Sequence, residues 1–370
     1  MFNYLLTSSL WLEALVKKET QKQWYEITKV QDKAIYFSGW IDAMARMNLW
    51  SRFGNILYLV VWGTKRVSDF DQYFDEVKSI NWNKYIPDGY EVVVKATSIK
   101  SELWALSTLQ ALWKKAIVQA VVGEWEILRE NPSLWQIEVR MLLENDTLRV
   151  LLNTSGAGLH RRGYREMTGQ APLKENIAAA LVILSGWKFR EPFYDLFCGS
   201  GTIAIEALMI AKNIAPGLKR NFAFDDWSWV EKSVLEEEKN RAREKQFDWE
   251  YKIYASDIRK EVVESAKRSA KFAGFTDDEI DFSCQDYSEV IRKRPSGENM
   301  WIVSNPPYWL RLDEDDAEEI HLWLAKAFWE KEILWGIISS DLEFEQKSKT
   351  KFKKRKLYNG WEMCYFYRKL

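Results

Sequence analysis

Apolar positions recur along this chain with two different periods, and the change from one to the other marks out its elements. Met1 to Ser8 reads as a strand, and Leu10 to Gln23 as a helix with Leu12, Leu15 and Val16 on one face. Ala34 to Ser38 predicts a strand, Trp40 to Asn48 a helix and Asn55 to Val61 a strand, together a small α+β unit. A second block follows, with a helix over Asp69 to Ser79, a strand over Tyr90 to Ala96 and a long amphipathic helix over Ser107 to Val122. Trp135 to Leu143 and Leu148 to Asn153 alternate apolar and polar residues, as two antiparallel strands joined by an Asn145-Asp146 turn would. The run from Thr154 to Arg165 is glycine-rich and basic and reads as a linker. Beyond Lys174, apolar runs at Phe193–Phe197, Tyr251–Ser256, Ile280–Ser283, Trp301–Ser304 and Ile333–Ser339 are separated by helical segments. That alternation predicts an α/β architecture with a doubly wound parallel sheet. The one sizeable charge run is Lys347 to Lys356.

Composition narrows the class. The 370 residues are 47% hydrophobic and 29% charged, enough for a buried core and more than one domain. The formal net charge is -1, so any nucleic-acid contact must come from local basic patches. Cys198, Cys284 and Cys364 are widely separated, and the two histidines are His160 and His321, so no metal site is expected. Reduced thiols fit a cytoplasmic protein. The start lacks the layout of a signal peptide, and no apolar run is long enough to span a bilayer, so no membrane partner is expected.

The candidate chemistry begins at Asp195-Leu196-Phe197-Cys198-Gly199-Ser200-Gly201-Thr202. Here a strand runs into a glycine turn that opens a helix. Gly199 and Gly201 permit a sharp turn and close approach of backbone to a ligand. The helix beginning at Thr202 offers N-terminal N–H groups to a carboxylate, and Asp195 is placed to pair an amino group. A glycine turn alone is equally a plain tight turn, but the full run is more specific. Asp257, followed by Ile258 at the end of the next strand, suits a ribose diol, and would equally cap the following helix. Asp286, after the third strand, could accept from an adenine amine or simply sit in a surface loop. No Walker-type lysine motif is present, which argues against ATP chemistry.

The second constellation is Ser304-Asn305-Pro306-Pro307-Tyr308, after the apolar strand Trp301-Ile302-Val303. Two prolines fix the turn and remove two donors. The Pro306 carbonyl and the Asn305 side-chain oxygen can then accept both hydrogens of a planar amine, while Tyr308 stacks on its ring. Such a site works by positioning and desolvation and needs no strong general base.

This pair of motifs resembles the Rossmann-like class I methyltransferases that act on exocyclic amines and use S-adenosyl-L-methionine. Three more stretches narrow the resemblance: Leu159-His160-Arg161-Arg162-Gly163-Tyr164-Arg165 with Ala171-Pro172-Leu173-Lys174-Glu175, then Asn213-Ile214-Ala215-Pro216-Gly217, then Arg355-Lys356-Leu357-Tyr358-Asn359-Gly360. They are similar to the bacterial THUMP-domain RNA guanine-N2 methyltransferases, which include enzymes acting on 23S ribosomal RNA. The resemblance covers nearly the whole chain. It implies a ferredoxin-like region over 1–62, a THUMP RNA-binding domain over 63–155, a basic linker over 156–173 and a methyltransferase domain over 174–370. It implies catalytic roles for Asn305, Pro306 and Tyr308. Asp195, Phe197, Gly199, Gly201, Thr202, Asp257, Ile258, Asp286 and Asn305 would hold the cofactor. RNA, expected to be ribosomal, would meet Lys114, Lys115, Arg161, Arg162, Arg165, Lys354 and Arg355; the alternative is a solvated surface run, which suits Lys347 to Lys351 at least as well. Transfer-RNA guanine, or adenine N6, is an alternative substrate, and a non-catalytic ribosome-assembly protein is the alternative from another class.

Tryptophan is in excess, with 20 against only 17 glycines, the latter below the usual share of about 7%. Trp11, Trp24, Trp113, Trp309 and Trp361 fall where the family usually carries glycine. The two side chains are not interchangeable. A systematic cause is expected, namely UGA codons that the organism reads as glycine.

Overall fold

The computed structural model describes residues 1–66, 69–86, 90–122, 135–165, 173–293, 298–307, 314–327, 329, 332–339, 344–345, 351–359 and 362–370. Its contacts divide the chain into two compact units. The first is built from Met1–Ser8, Lys17–Leu159 and Asn221–Asn240, the second from Ser9–Val16, His160–Arg220 and Arg241–Leu370.

The N-terminal part of the chain forms β1 (Phe2–Ser8), α1 (Glu13–Lys22), β2 (Glu26–Gln31), β3 (Ala34–Gly39), α2 (Ile41–Trp50), β4 (Gly54–Arg66), α3 (Phe70–Lys78), β5 (Tyr90–Ile99), α4 (Leu106–Val122), β6 (Trp135–Glu144) and β7 (Thr147–Asn153). The strands form one sheet in the order β2-β3-β1-β4-β7-β6-β5. β1 pairs antiparallel with both β3 and β4, which buries Leu6 between Ile35 and Leu57. β4 continues past position 62 and pairs with β7, so the two regions expected on either side of that position share a sheet. β6 and β7 are the antiparallel pair read from alternation, and Asn145 and Asp146 turn between them with φ of 49° and 58°. Both residues tolerate that left-handed backbone, as a tight hairpin demands. The polar strand β2 has no apolar alternation to announce it and pairs only with β3 at the sheet edge.

The remainder contributes α5 (Glu175–Ser185), β8 (Phe193–Asp195), α6 (Thr202–Ala211), α7 (Ser233–Glu244), β9 (Ile253–Asp257), α8 (Lys260–Ala273), β10 (Asp281–Cys284), α9 (Tyr287–Arg292), β11 (Met300–Ser304), α10 (Glu314–Ala327), β12 (Ile333–Ser339), β13 (Phe352–Asn359) and β14 (Glu362–Lys369). The second sheet has the order β10-β9-β8-β11-β12-β14-β13. From β10 to β12 all pairings are parallel, as the alternation of strands and helices requires. The wholly parallel expectation fails at one edge, where β14 pairs antiparallel with β12 and closes a hairpin with β13. β13 reads Phe-Lys-Lys-Arg-Lys-Leu-Tyr-Asn, and its charges masked it as a solvated run. An outermost strand accommodates them and is protected by them from further pairing.

Successive residues of the central strands face opposite layers. Phe193, Trp301 and Val303 join Ile177, Leu181, Ile203 and Leu208 on one side, while Tyr194, Ile302 and Ile337 join Ile291 and Leu324 on the other. The sheet is thus covered by helices on both faces, as expected of a doubly wound fold.

One ion pair is sealed into this unit. Arg162 Nε meets Glu206 Oε1 at 3.3 Å with both side chains at most 1% exposed, and the Tyr164 hydroxyl donates to the same oxygen at 3.2 Å. Removing the carboxylate leaves a buried guanidinium without that partner. Glu206→Ala should therefore lower the unfolding free energy by about 3–5 kcal/mol, measured by urea denaturation. A loss no larger than that of an exposed pair would show that Arg162 is solvated when the pair is broken.

Candidate functional site

The order of the second sheet reverses between β8 and β11, and the carboxyl ends of these two strands carry both sequence constellations. After β8 the chain turns through Leu196 to Gly201 and enters α6. Gly199 and Gly201 have φ of 52° and 78°, a left-handed backbone that glycine enters freely. A Cβ on Gly199 would meet nothing within 4 Å, so the bend is open there to a ligand. A Cβ on Gly201 would lie 3.1 Å from Ala266 and 3.2 Å from Phe282, so that glycine also admits the packing of α8 and β10.

Two hydrogen bonds hold the bend against β9. The Cys198 N–H donates to the Ser256 carbonyl at 2.8 Å, and the Gly199 N–H donates to Asp257 Oδ2 at 3.2 Å. Asp257 Oδ1 accepts from the Arg259 N–H at 3.1 Å, so this carboxylate shapes its own turn and faces the bend. Ile258 beside it is 69% exposed. Asp286 caps α9 by accepting from the Ser288 N–H at 2.9 Å, and the Tyr287 ring lies 5.2 Å from that of half-buried Phe197.

Asp195 is buried, and Ser304, at the end of β11, donates to its Oδ1 at 2.8 Å. The Ser304 hydroxyl in turn accepts the Leu196 N–H at 2.7 Å. Asp195 Oδ2 is equally buried and accepts no hydrogen bond among the described residues. Burial lifts the Asp195 carboxyl from 3.8 to about 7, opposed by the bonds from Ser304 and the Phe197 backbone and assisted by the charge of Asp257. An orphaned buried acceptor beside an open glycine bend fits a ligand that brings a cationic donor. Asn305 is half-buried directly after Ser304, and Pro306 is buried behind it. Tyr308 and Trp309 lie outside the described residues.

The basic residues separate into two groups. Arg161 is exposed, as are Lys115 and Arg355. Lys114, on α4, is half-buried. Lys354 pairs with Glu345 at 2.8 Å and sits over the Tyr365 ring at 4.4 Å. Arg162 and Arg165 do not present themselves as an RNA surface. The former is the buried partner of Glu206, and the latter donates to Thr202 Oγ1 at 2.7 Å and to the Leu173 carbonyl at 2.8 Å. Arg165 thereby braces the first residue of α6, a link that spacing alone does not reveal. His160 is held down to about 4, first by burial and then by the charges of Lys174, Arg162, Arg161 and Arg220, so it is neutral at physiological pH. Among the described residues no group of metal-ligating side chains occurs, and no helix is long and apolar enough to cross a membrane.

Known proteins resemble this chain over nearly its whole length. The profile of the RMKL-like methyltransferase domain matches residues 162–363, and that of the RlmL ferredoxin-like domain matches residues 4–55. YpsC of Bacillus subtilis strain 168, a candidate RNA methyltransferase by name, is 36% identical, covering 99% of this chain and 95% of its own length. The crystal structure of SMU.472, a candidate methyltransferase in complex with SAH, superposes with a TM-score of 0.90 at 33% identity, over 99% of this chain and 97% of that one. A Listeria monocytogenes protein assigned as an N6-adenine-specific DNA methylase gives 0.90 at 35% identity, over 100% and 96% of the two chains.

The buried carboxyl gives a measurable pH dependence. Folding raises the Asp195 value from 3.8 to about 7, so its protonated form is the favoured one. Its contribution is complete at low pH and is lost as pH climbs through about 7. Asp195→Asn stays neutral throughout. The stability of the ligand-free variant minus that of the ligand-free parent should therefore grow between pH 4 and pH 7.5, by up to about 4 kcal/mol. Taking the difference cancels His160, which titrates in the opposite sense. Parallel stability curves would mean that Asp195 is ionised without penalty.

Proposed function

The chain belongs to the RMKL-like methyltransferase family, and we propose that it transfers a methyl group from S-adenosyl-L-methionine to the N2 amine of a guanine in RNA, with 23S ribosomal RNA as the substrate. The observation that carries this reading is the joint between the two loops. Ser304, one residue before Asn305, is hydrogen-bonded to Asp195 at the start of the glycine bend. An amine held at the first loop therefore lies beside a ligand seated at the second.

When bound, S-adenosylmethionine supplies a methyl group on an electron-poor sulfonium. The residues of the chain would do the rest. Asp195 Oδ2 would accept from the ammonium group of the cofactor, and Asp257 from its ribose diol. Ile258 would cover the adenine, and Asp286, already capping α9, would accept from the adenine amine. The Asn305 side-chain oxygen and the Pro306 carbonyl would accept the two hydrogens of the guanine amine, which keeps the nitrogen lone pair directed at the methyl carbon. Tyr308 would stack on the extruded base. Their contribution is alignment of the reactants and exclusion of water.

The region over 63–155 is proposed as the THUMP domain, behind a ferredoxin-like region over 1–62. The linker over 156–173 is proposed to pass RNA to the methyltransferase domain over 174–370. Exposed Arg161, with Lys115 and Arg355, would meet phosphates, and the setting is the cytoplasm. A second reading, adenine N6 methylation, is favoured by the assignment of the Listeria relative and by the indifference of an acceptor pair to which exocyclic amine it holds.

The test is transfer of labelled methyl to purified ribosomal RNA, followed by nucleoside analysis. N2-methylguanosine is the expected product, and N6-methyladenosine would support the second reading. Asn305→Ala should reduce transfer by about 100-fold or more while S-adenosylmethionine affinity stays within about threefold. Loss of cofactor binding in that variant would assign Asn305 to holding the cofactor and not to accepting the amine.

A further inference from the structure

We infer that Ser304 is a positioning residue for the transfer, locking the Asn305-Pro306 acceptor pair to the carboxylate that receives the cofactor. The inference rests on the reading above. The backbone ladder between β8 and β11 consists of Trp301 opposite Phe193 and Ile302 opposite Tyr194. Past that point the strand ends are joined by the Ser304 side chain, which donates to Asp195 at 2.8 Å and accepts from the Leu196 N–H at 2.7 Å. Donor and acceptor are both engaged, so the hydroxyl cannot rotate without losing a bond in a site where Ser304 is 0% exposed. Asn305 follows Ser304, and the glycine bend follows Leu196, so the hydroxyl fixes the spacing of the two loops. An error of about 1 Å in such spacing can cost about 100-fold in rate.

Ser304→Ala is the direct test. Its kcat should fall by about tenfold or more with the KM for RNA little changed. A merely structural role would not also move the titration of cofactor binding. The Ser304 bond favours ionised Asp195, so its removal should shift the acid limb of S-adenosylmethionine affinity, measured by calorimetry, to higher pH. Asp257 on β9 and Cys198 on the bend are the other titratable groups facing Asp195, and both remain. Ser304→Cys, nearly isosteric but a weak hydrogen-bonding partner, should show the same two effects if the alanine variant does not fold. Parental kcat and pH profile in either folded variant would overturn the inference. An inactive parental enzyme that still binds cofactor would count against the proposed substrate and not against the joint, which the pH shift reads separately.

A second inference stands on different observations. We propose that the native protein carries glycine at positions 11 and 24. Trp24 has φ 67° and closes α1. Its N–H bonds the Gln21 carbonyl at 2.9 Å, and the Tyr25 N–H bonds the Thr20 carbonyl at 3.4 Å. That pair of bonds is the Schellman closure, whose left-handed residue is usually glycine. The same closure ends α8 with Gly274 and α6 with Asn213, residues suited to the conformation. Trp11 has φ 77° in the four-residue turn closed by the Leu12 N–H on the Ser9 carbonyl at 3.1 Å. It stands third in that turn, while Leu10 before it is not among the residues of positive φ. Such a type II turn calls for glycine at its third position. A β-carbon is disfavoured at both sites. Trp24 is 94% exposed and gains little from burial, while Trp11 packs against the core but leaves its Nε1 buried without a hydrogen-bond partner among the described residues. Two structural sites that each favour glycine over tryptophan, in a chain poor in glycine and rich in tryptophan, point to UGA codons decoded as glycine.

Peptide mass spectrometry of the protein from its native cells reads the identity at positions 11 and 24, and at position 309 in the same digest. Glycine at 11 and 24 is expected, and tryptophan at either would overturn the proposal. A stability comparison gives an independent arm. Trp24→Gly should raise the thermal midpoint while Trp24→Ala, which keeps a β-carbon, should not. Equal midpoints for the two variants would contradict the backbone argument.

Discussion

The candidate site depends on the way β8 and β11 end. They are adjacent and parallel, so their carboxyl ends emerge on the same edge of the sheet, within reach of one ligand. Parallel pairing alone leaves that edge loose, because the short β8 stops at Asp195. The Ser304 hydroxyl supplies the missing rung. Its two hydrogen bonds join the end of β11 to the residue that opens the glycine bend and to the next backbone N–H. The prolines after Asn305 and the glycines after Cys198 then act in opposite ways on a fixed base, the former restricting one loop and the latter allowing the other to fold tightly around a ligand.

The parts of this arrangement legible in the sequence are those where residue type and local backbone are tied together. Glycine in a bend, two consecutive prolines and strict alternation each announce a conformation within a few residues, and the family resemblance built on them agrees with the profile match over 162–363. The Asn145-Asp146 turn was legible for the same reason. What stayed hidden depends on partners distant in sequence. Nothing near Ser304 says that its hydroxyl faces Asp195, 109 positions away. Arg162 and Arg165 look like surface cations beside Arg161, and only the fold reveals Glu206 and Thr202 as their partners. β13 was hidden by its own lysines, since a strand at a sheet edge needs no apolar face on its outer side.

The basic stretch after Leu159 thereby acquires a division of labour. Arg161 is left to solvent, Arg162 is committed to the interior, and Arg165 is tied to the first turn of α6. Three similar cations in five positions thus serve three different ends. A contact made by Arg161 on the surface would reach α6 through a segment that is anchored at both Glu206 and Thr202. A net charge of -1 gives no general positive field, so the RNA contact proposed above would rely on a few placed cations.

The buried carboxylate would give the proposed cofactor seat a preference for a cationic ligand. Raising Asp195 from 3.8 to about 7 means that ionising it inside the folded protein is unfavourable. By the usual conversion that penalty is about 4 kcal/mol at most. An ammonium group placed at Oδ2 would offset it by pairing with the charge, whereas a neutral group of the same shape would leave it in place. An anionic group would add to it, since Asp257 already lies close enough to raise the Asp195 value. The same desolvation that makes Asp195 a poor structural residue would therefore suit it to the receptor role proposed for it. The energetic cost is tolerable because Ser304 and the Phe197 backbone hold the carboxylate in a single orientation, ready to accept.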